Sequence, residues 1–134
     1  MKPLILVSHG NLCVELKKSV EMIMGPQDDI YAVPLLPNEG PEEYLAKVKE
    51  TVADLADYTV LADLYGGTPC NVMFKQLVAG KANFELYAGM NMAMVIEYLN
   101  SGLLGTTPNL IDGGRKGIQC VNDMLNQDDD DDDE

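Results

Sequence analysis

The chain has no tryptophan, two phenylalanines, a single histidine, and only nine Lys and Arg against 22 Asp and Glu. Each shortage excludes something. The three cysteines, Cys13, Cys70 and Cys120, are scattered and form no Cys-x-x-Cys pair. With one histidine beside them, neither a structural zinc site nor a disulfide framework is expected, and no metal or cofactor is assigned. Such thiols suit a reducing cytoplasm. A formal net charge of −13 leaves no basic face for nucleic acid or an anionic membrane. Seven of the acids form the terminal run Asp128 to Glu134, and the remainder still carries −6. The apolar run Leu4 to Val7 is too short for a secretory signal, and no later run approaches a membrane span. A soluble, cytoplasmic protein is expected.

The 134 residues are 46% hydrophobic, enough for one compact domain with a proper core. Short apolar runs alternate with helical periodicity, and there is no internal repeat. Leu4 to Val7 reads as a strand buried on both faces. Leu12, Leu16, Val20 and Ile23 then share a helical face closed by Gly25-Pro26. Ile30 to Leu36 reads as an edge strand because of Pro34. Pro41 starts a helix with Leu45, Val48, Val52 and Leu55 turned inward. Thr59 to Leu64 is a third strand, turned by Gly66-Gly67-Thr68-Pro69 into a helix carrying Val72, Met73, Leu77 and Val78. Phe84 to Ala88 is a fourth strand, followed by a helix from about Asn91 to Asn100 that ends at Ser101-Gly102. A loose stretch runs to Gly117, and Ile118 to Val121 forms a short last strand. This alternation predicts a three-layer α/β fold, with a mostly parallel central sheet and helices on both faces. Residues 126–134 read as a disordered acidic tail, because like charges oppose compaction.

In such sheets ligands gather beyond the carboxyl ends of the strands, where strand order reverses. Three junctions there carry unusual residues. Ser8-His9-Gly10-Asn11 puts the only histidine at the exit of a buried strand toward a helix N-terminus. That imidazole suits a general base, a metal ligand or a phosphoryl acceptor, or it merely caps the helix. Asp63 ends a strand expected beside the first, where a carboxylate can hold the histidine Nδ1–H; the plain alternative is a turn former. Gly66, Gly67 and Thr68 suit a phosphate cradle, or simply a tight turn with Thr68 as cap. Asn91 suits a polar wall of the site or, the preferred reading, a plain helix cap, and Met90, Met92 and Met94 read as core filler.

At these junctions the chain resembles the mannose-type enzyme IIA family of the bacterial phosphoenolpyruvate-dependent sugar phosphotransferase system. The resemblance rests on Leu6-Val7-Ser8-His9-Gly10, Asp63-Leu64-Tyr65-Gly66-Gly67-Thr68-Pro69-Cys70-Asn71 and Gly89-Met90-Asn91-Met92-Ala93-Met94, with Gly114 to Ile118 near the end. It covers residues 1–125, everything before the tail. It implies that His9 is the phosphoryl acceptor, charged by the carrier HPr and discharged to a IIB component, and that Asp63 orients it. It implies that Gly10, Gly66, Gly67 and Thr68 bind the phosphate. It implies a homodimer that exchanges a final antiparallel strand, matching Ile118 to Val121, and sugar choice made by the membrane IIC and IID components. Ala93 stands where the family usually has proline, which stiffens a first helical turn. Met1, a whole domain and a short tail lead us to expect a stand-alone subunit.

A histidine phosphatase needs an arginine before the histidine and a second histidine, and this chain has Ser8 and no other His. The phosphoryl-carrier subunit of a dihydroxyacetone kinase system is an alternative, as is a non-catalytic flavodoxin-like binding module. No Gly-x-Gly-x-x-Gly or Walker lysine supports nucleotide binding.

Overall fold

The computed structural model describes residues 1–125; the acidic tail lies outside them. Nine elements follow in order: β1 (Leu4–His9), α1 (Leu12–Met24), β2 (Ile30–Leu35), α2 (Pro41–Val52), β3 (Thr59–Ala62), α3 (Thr68–Val78), β4 (Glu85–Ala88), α4 (Met92–Leu104) and α5 (Leu110–Lys116). The sheet has strand order β2-β1-β3-β4, with every pairing parallel. The unbroken apolar run of β1 now has its reason. Leu4 and Leu6 face α1 and α4, while Ile5 and Val7 face α2 and α3. Each face needs its own apolar residue, and each fully buried side chain of this size contributes about 1.5–3 kcal/mol.

The helices begin and end for local reasons. Pro41 opens α2, and the Glu43 carboxylate accepts the Gly40 N–H at 2.6 Å. Asn91 caps α4, its Oδ1 accepting the Met94 N–H at 2.9 Å. Met90 and Met94 are buried in the core, as read from the sequence.

Several boundaries differ from the reading of the sequence. On α1 the buried residues are Cys13 and Val20, and Leu12 and Ile23 are exposed. The face is set by the first turn, where the Ser8 hydroxyl takes the Cys13 N–H and turns Cys13 inward. On α2 Val48 is buried as expected, but the other buried side chain is Tyr44, and Leu55 lies past the helix end. The third strand stops at Ala62, two residues early, and Val78 points outward. The fourth helix continues through Ser101 and Gly102 to Leu104. Ser101 bonds within the helix to Glu97 at 3.1 Å, and the closing bond runs from the Thr106 N–H to the Ser101 carbonyl at 2.9 Å, around Gly105.

The stretch expected to be loose contains α5. Asn109 caps it through the Asp112 N–H at 3.1 Å, and Lys116 pairs with Asp112 at 3.0 Å. Its glycines are there for close packing. A Cβ on Gly113 would stand 2.7 Å from Glu97 Cβ, and one on Gly117 would stand 2.5 Å from Ala93 Cβ. The Asn91 amide completes the join by donating to the Gly114 carbonyl at 3.0 Å. Ile118 to Val121 is not a strand of this single chain. Ile118 closes α5 through the Arg115 carbonyl, and tight turns follow from Cys120. A strand needs an edge to bond, and this segment pairs with none, leaving Ile118 and Val121 75% and 70% exposed.

Replacing Gly117 with Ala is expected to lower stability by about 1–3 kcal/mol through overpacking against Ala93. Adding Ala93→Gly should recover part of that loss. Urea unfolding midpoints of the single and double variants check it.

Candidate functional site

The chain leaves β1 for β2 on one side and returns past β1 to β3 on the other. The switch point therefore lies between the carboxyl ends of β1 and β3, where His9 and Asp63 stand. The β1–β3 ladder ends with the Asp63 N–H on the Val7 carbonyl at 3.1 Å. Where the next rung would form, the Asp63 side chain takes over. Its Oδ2 accepts the His9 backbone N–H at 2.9 Å and contacts His9 Nδ1 at 2.8 Å. One carboxylate oxygen thus holds both the backbone and the ring of the same residue.

Burial sharpens this arrangement. The Asp63 side chain is 8% exposed and the His9 side chain 48%. A carboxylate only accepts, so the shared proton belongs to Nδ1 and the lone pair to Nε2. Asp63 Oδ1 is buried and has no hydrogen-bond partner among the described residues. A buried acceptor left unpaired costs about 1–3 kcal/mol, so the carboxylate is directed at His9 and nowhere else.

Gly67 lies against the other side of the ring, where a Cβ would come 2.6 Å from His9 Cε1 and 3.4 Å from Nε2. Gly66 has φ +82°, and its carbonyl accepts the Asn71 side-chain amide at 3.0 Å, which braces the turn. Thr68 follows as the first residue of α3. The amides of Thr68 and Cys70 lie in the first helical turn and lack intrahelical acceptors, and Gly67 offers no side-chain cap. Two neighbouring amides are committed: Gly67 N–H to the Leu64 carbonyl at 3.1 Å, and Gly10 N–H to the Leu35 carbonyl at 2.7 Å. The structure therefore gathers His9, Asp63, Gly66, Gly67 and Thr68 at one place. Gly10 adjoins them with its amide already used. Asn91 is engaged in capping α4.

Two supporting residues escaped the reading for function. Ser8 is wholly buried behind His9, and its hydroxyl bonds at both ends of the turn to α1. Tyr44 on α2 donates its hydroxyl to the Val33 carbonyl, across from Val7. Burial, with Cys13 and Asp63 nearby, pushes the Tyr44 phenol far above its usual range, so it stays a donor. A polar residue within an apolar alternation was the available signal for both. Around the site, Leu12 at the start of α1 and Leu36, Leu64 and Tyr65 on the loops are exposed large hydrophobic residues at the carboxyl edge. No helix of the described residues is long and apolar enough to cross a membrane.

A parallel α/β sheet that presents a carboxylate-held imidazole at its switch point matches IIA components of sugar phosphotransferase systems in sequence and in structure. Residues 3–110 match the family model described as PTS system fructose IIA component, and the chain belongs to that family. The fructose-specific EIIA component of Bacillus subtilis is 29% identical over 103 residues, covering 75% of this chain and 70% of that protein. The mannose-specific EIIAB component of Escherichia coli K12 is 31% identical over 100 residues. That match covers 72% of this chain, which spans only 30% of the longer protein. Among solved structures, the mannose/sorbose-specific IIA subunit of Enterococcus faecalis superposes with a TM-score of 0.77 at 33% identity, covering 90% of this chain and 95% of that one.

A methyl group at position 67 is expected to push the imidazole off Asp63 while leaving the sheet intact. In Gly67→Ala the slowly exchanging Nδ1 proton of the lone histidine should vanish from the NMR spectrum, with circular dichroism unchanged.

Proposed function

We propose that this protein is the phosphoryl carrier of a sugar phosphotransferase system, receiving the group from phospho-HPr on His9 Nε2 and passing it to a IIB component. The observation that carries this reading is the double contact of Asp63 Oδ2 with His9, which in the neutral ring keeps the proton on Nδ1 and the lone pair on Nε2, on a half-exposed side chain. In the first transfer the donor's P–N bond breaks as the bond from Nε2 to phosphorus forms. The Nδ1 proton stays in place. The product ring carries a positive charge, since both nitrogens are then substituted, and the adjacent carboxylate balances it. Thr68 Oγ and the open amides of Thr68 and Cys70 serve the equatorial oxygens, while Gly66 and Gly67 shape the turn. No lysine or arginine stands in either junction, so the phosphoryl group is bound without being trapped.

The apolar ring of Leu12, Leu36, Leu64 and Tyr65 supports docking of protein partners, HPr and then IIB, directly over His9. The membrane IIC and IID components act downstream of IIB. Among the described residues the outer edge of β4 is unpaired, and beside it lies a groove of about 430 Å³ lined by Tyr65, Asn71, Phe74 and Leu86. Together with exposed Ile118, Val121, Met124 and Leu125, these features support a homodimer in which the segment 118–125 of each copy covers the β4 side of the other.

With phosphoenolpyruvate, enzyme I and HPr, intact mass should show one acid-labile phosphate gained by the chain and none by His9→Ala. No gain from an HPr shown to be charged would leave a binding module instead of a carrier. Sedimentation should give a dimer for the full chain and a monomer after truncation at residue 117; a monomeric full chain would remove the strand-exchange reading.

A further inference from the structure

Asp63 fixes the His9 ring only as well as the backbone beneath it is fixed. β1 ends at His9, and the chain must turn at once into α1. That turn closes on one buried hydroxyl. Ser8 Oγ donates to the Gly10 carbonyl at 3.0 Å and accepts the Cys13 N–H at 2.9 Å. The residues before and after His9 are thereby joined to each other and to the buried face of α1. Gly10 is gripped a second time, from β2, through its N–H on the Leu35 carbonyl at 2.7 Å. Below, the Tyr44 hydroxyl holds Val33, which pairs with Val7 just before Ser8. Ser8 itself is 0% exposed, one of three buried polar residues among the described ones, and so meets neither solvent nor partner. A hydroxyl whose donor and acceptor capacity is spent on the two flanks of one reactive residue does more than cap a helix.

We propose that Ser8 is a positioning residue for His9: acting through Gly10 and Cys13, its hydroxyl holds the turn so that Nδ1 meets Asp63 and Nε2 faces outward beside Gly67. A helix cap alone would stabilise α1 without affecting the imidazole. A positioning residue changes the ring's protonation pattern and the transfer rate, as partners behind a reactive group commonly do.

The transfer arm of the test rests on the carrier reading above; the spectroscopic arm does not. Ser8→Ala, Ser8→Thr and Asn109→Ala are compared, the last removing the cap of α5, which opens beside Met1, Lys2 and Thr59 at the opposite edge of the sheet. Imidazole ¹⁵N shifts are read well above the ordinary histidine range, where the ring is neutral and the single histidine gives an unmixed signal. The native chain should hold its proton on Nδ1. Ser8→Ala should average the two tautomers and lower the phosphorylation rate at saturating phospho-HPr by about tenfold, with half-saturation unchanged. Ser8→Thr should restore both, and Asn109→Ala should alter neither. A native tautomer with a rate within twofold in Ser8→Ala would overturn the proposal, as would the same losses in Asn109→Ala or a Ser8→Ala chain that does not fold. A native chain that accepts no phosphate would refute the carrier reading, and the tautomer comparison would still decide the role of Ser8.

Discussion

The arrangement depends on one oxygen atom. Asp63 Oδ2 accepts from the His9 peptide and from the His9 ring, and it can do so only where two parallel strands part. Were β3 longer by a residue or two, the ladder would take the His9 N–H and the carboxylate would lose half its hold. The early end of β3, the central position of β1 and the reversal of strand order between them are conditions for that single contact. A charge-assisted bond in a mostly buried setting then supplies the energy and, by fixing the proton, the chemistry.

Close approach without a side chain recurs as a constructional device in this molecule. Gly67 lets the turn after β3 lie against the imidazole, and Gly113 and Gly117 let α5 lie against the first turns of α4. The third case bears on Ala93. With Gly117 pressed on its Cβ, the start of α4 is braced by α5 and by Asn91, a packing substitute for the stiffness that a proline would bring there.

Much of this was legible in the residues. Alternation of strand and helix, the two-faced burial of β1 and the meeting of His9 with Asp63 follow from patterns that local chemistry imposes. What escaped detection has physical causes too. Asp63 and Leu64 continue an apolar-looking run, and only the side-chain takeover of a ladder rung ends the strand before them. Gly113 and Gly114 read as breakers because sequence alone does not distinguish a glycine that turns the chain from one that admits a neighbour. Leu12 and Ile23 fit a helical face with Val20 as well as Cys13 does; the choice between them is made by a tertiary hydrogen bond from Cys13 to Ser8. Tyr44 carries a polar tip on a buried face, which a binary apolar pattern does not register.

His9 is the last residue of the strand most deeply enclosed in the sheet, with neighbours on both edges and helices over both faces. Local opening in a folded chain starts at weakly packed ends and reaches such strands last, so amides of β1 stand among those that exchange only with global unfolding. The helices that support the His9 turn can therefore fray at their far ends without loosening it. On the proposed carrier reading, successive partners meet a site whose geometry outlasts the motions of the rest of the surface, which favours rigid docking with the adjustment left to side chains at the rim.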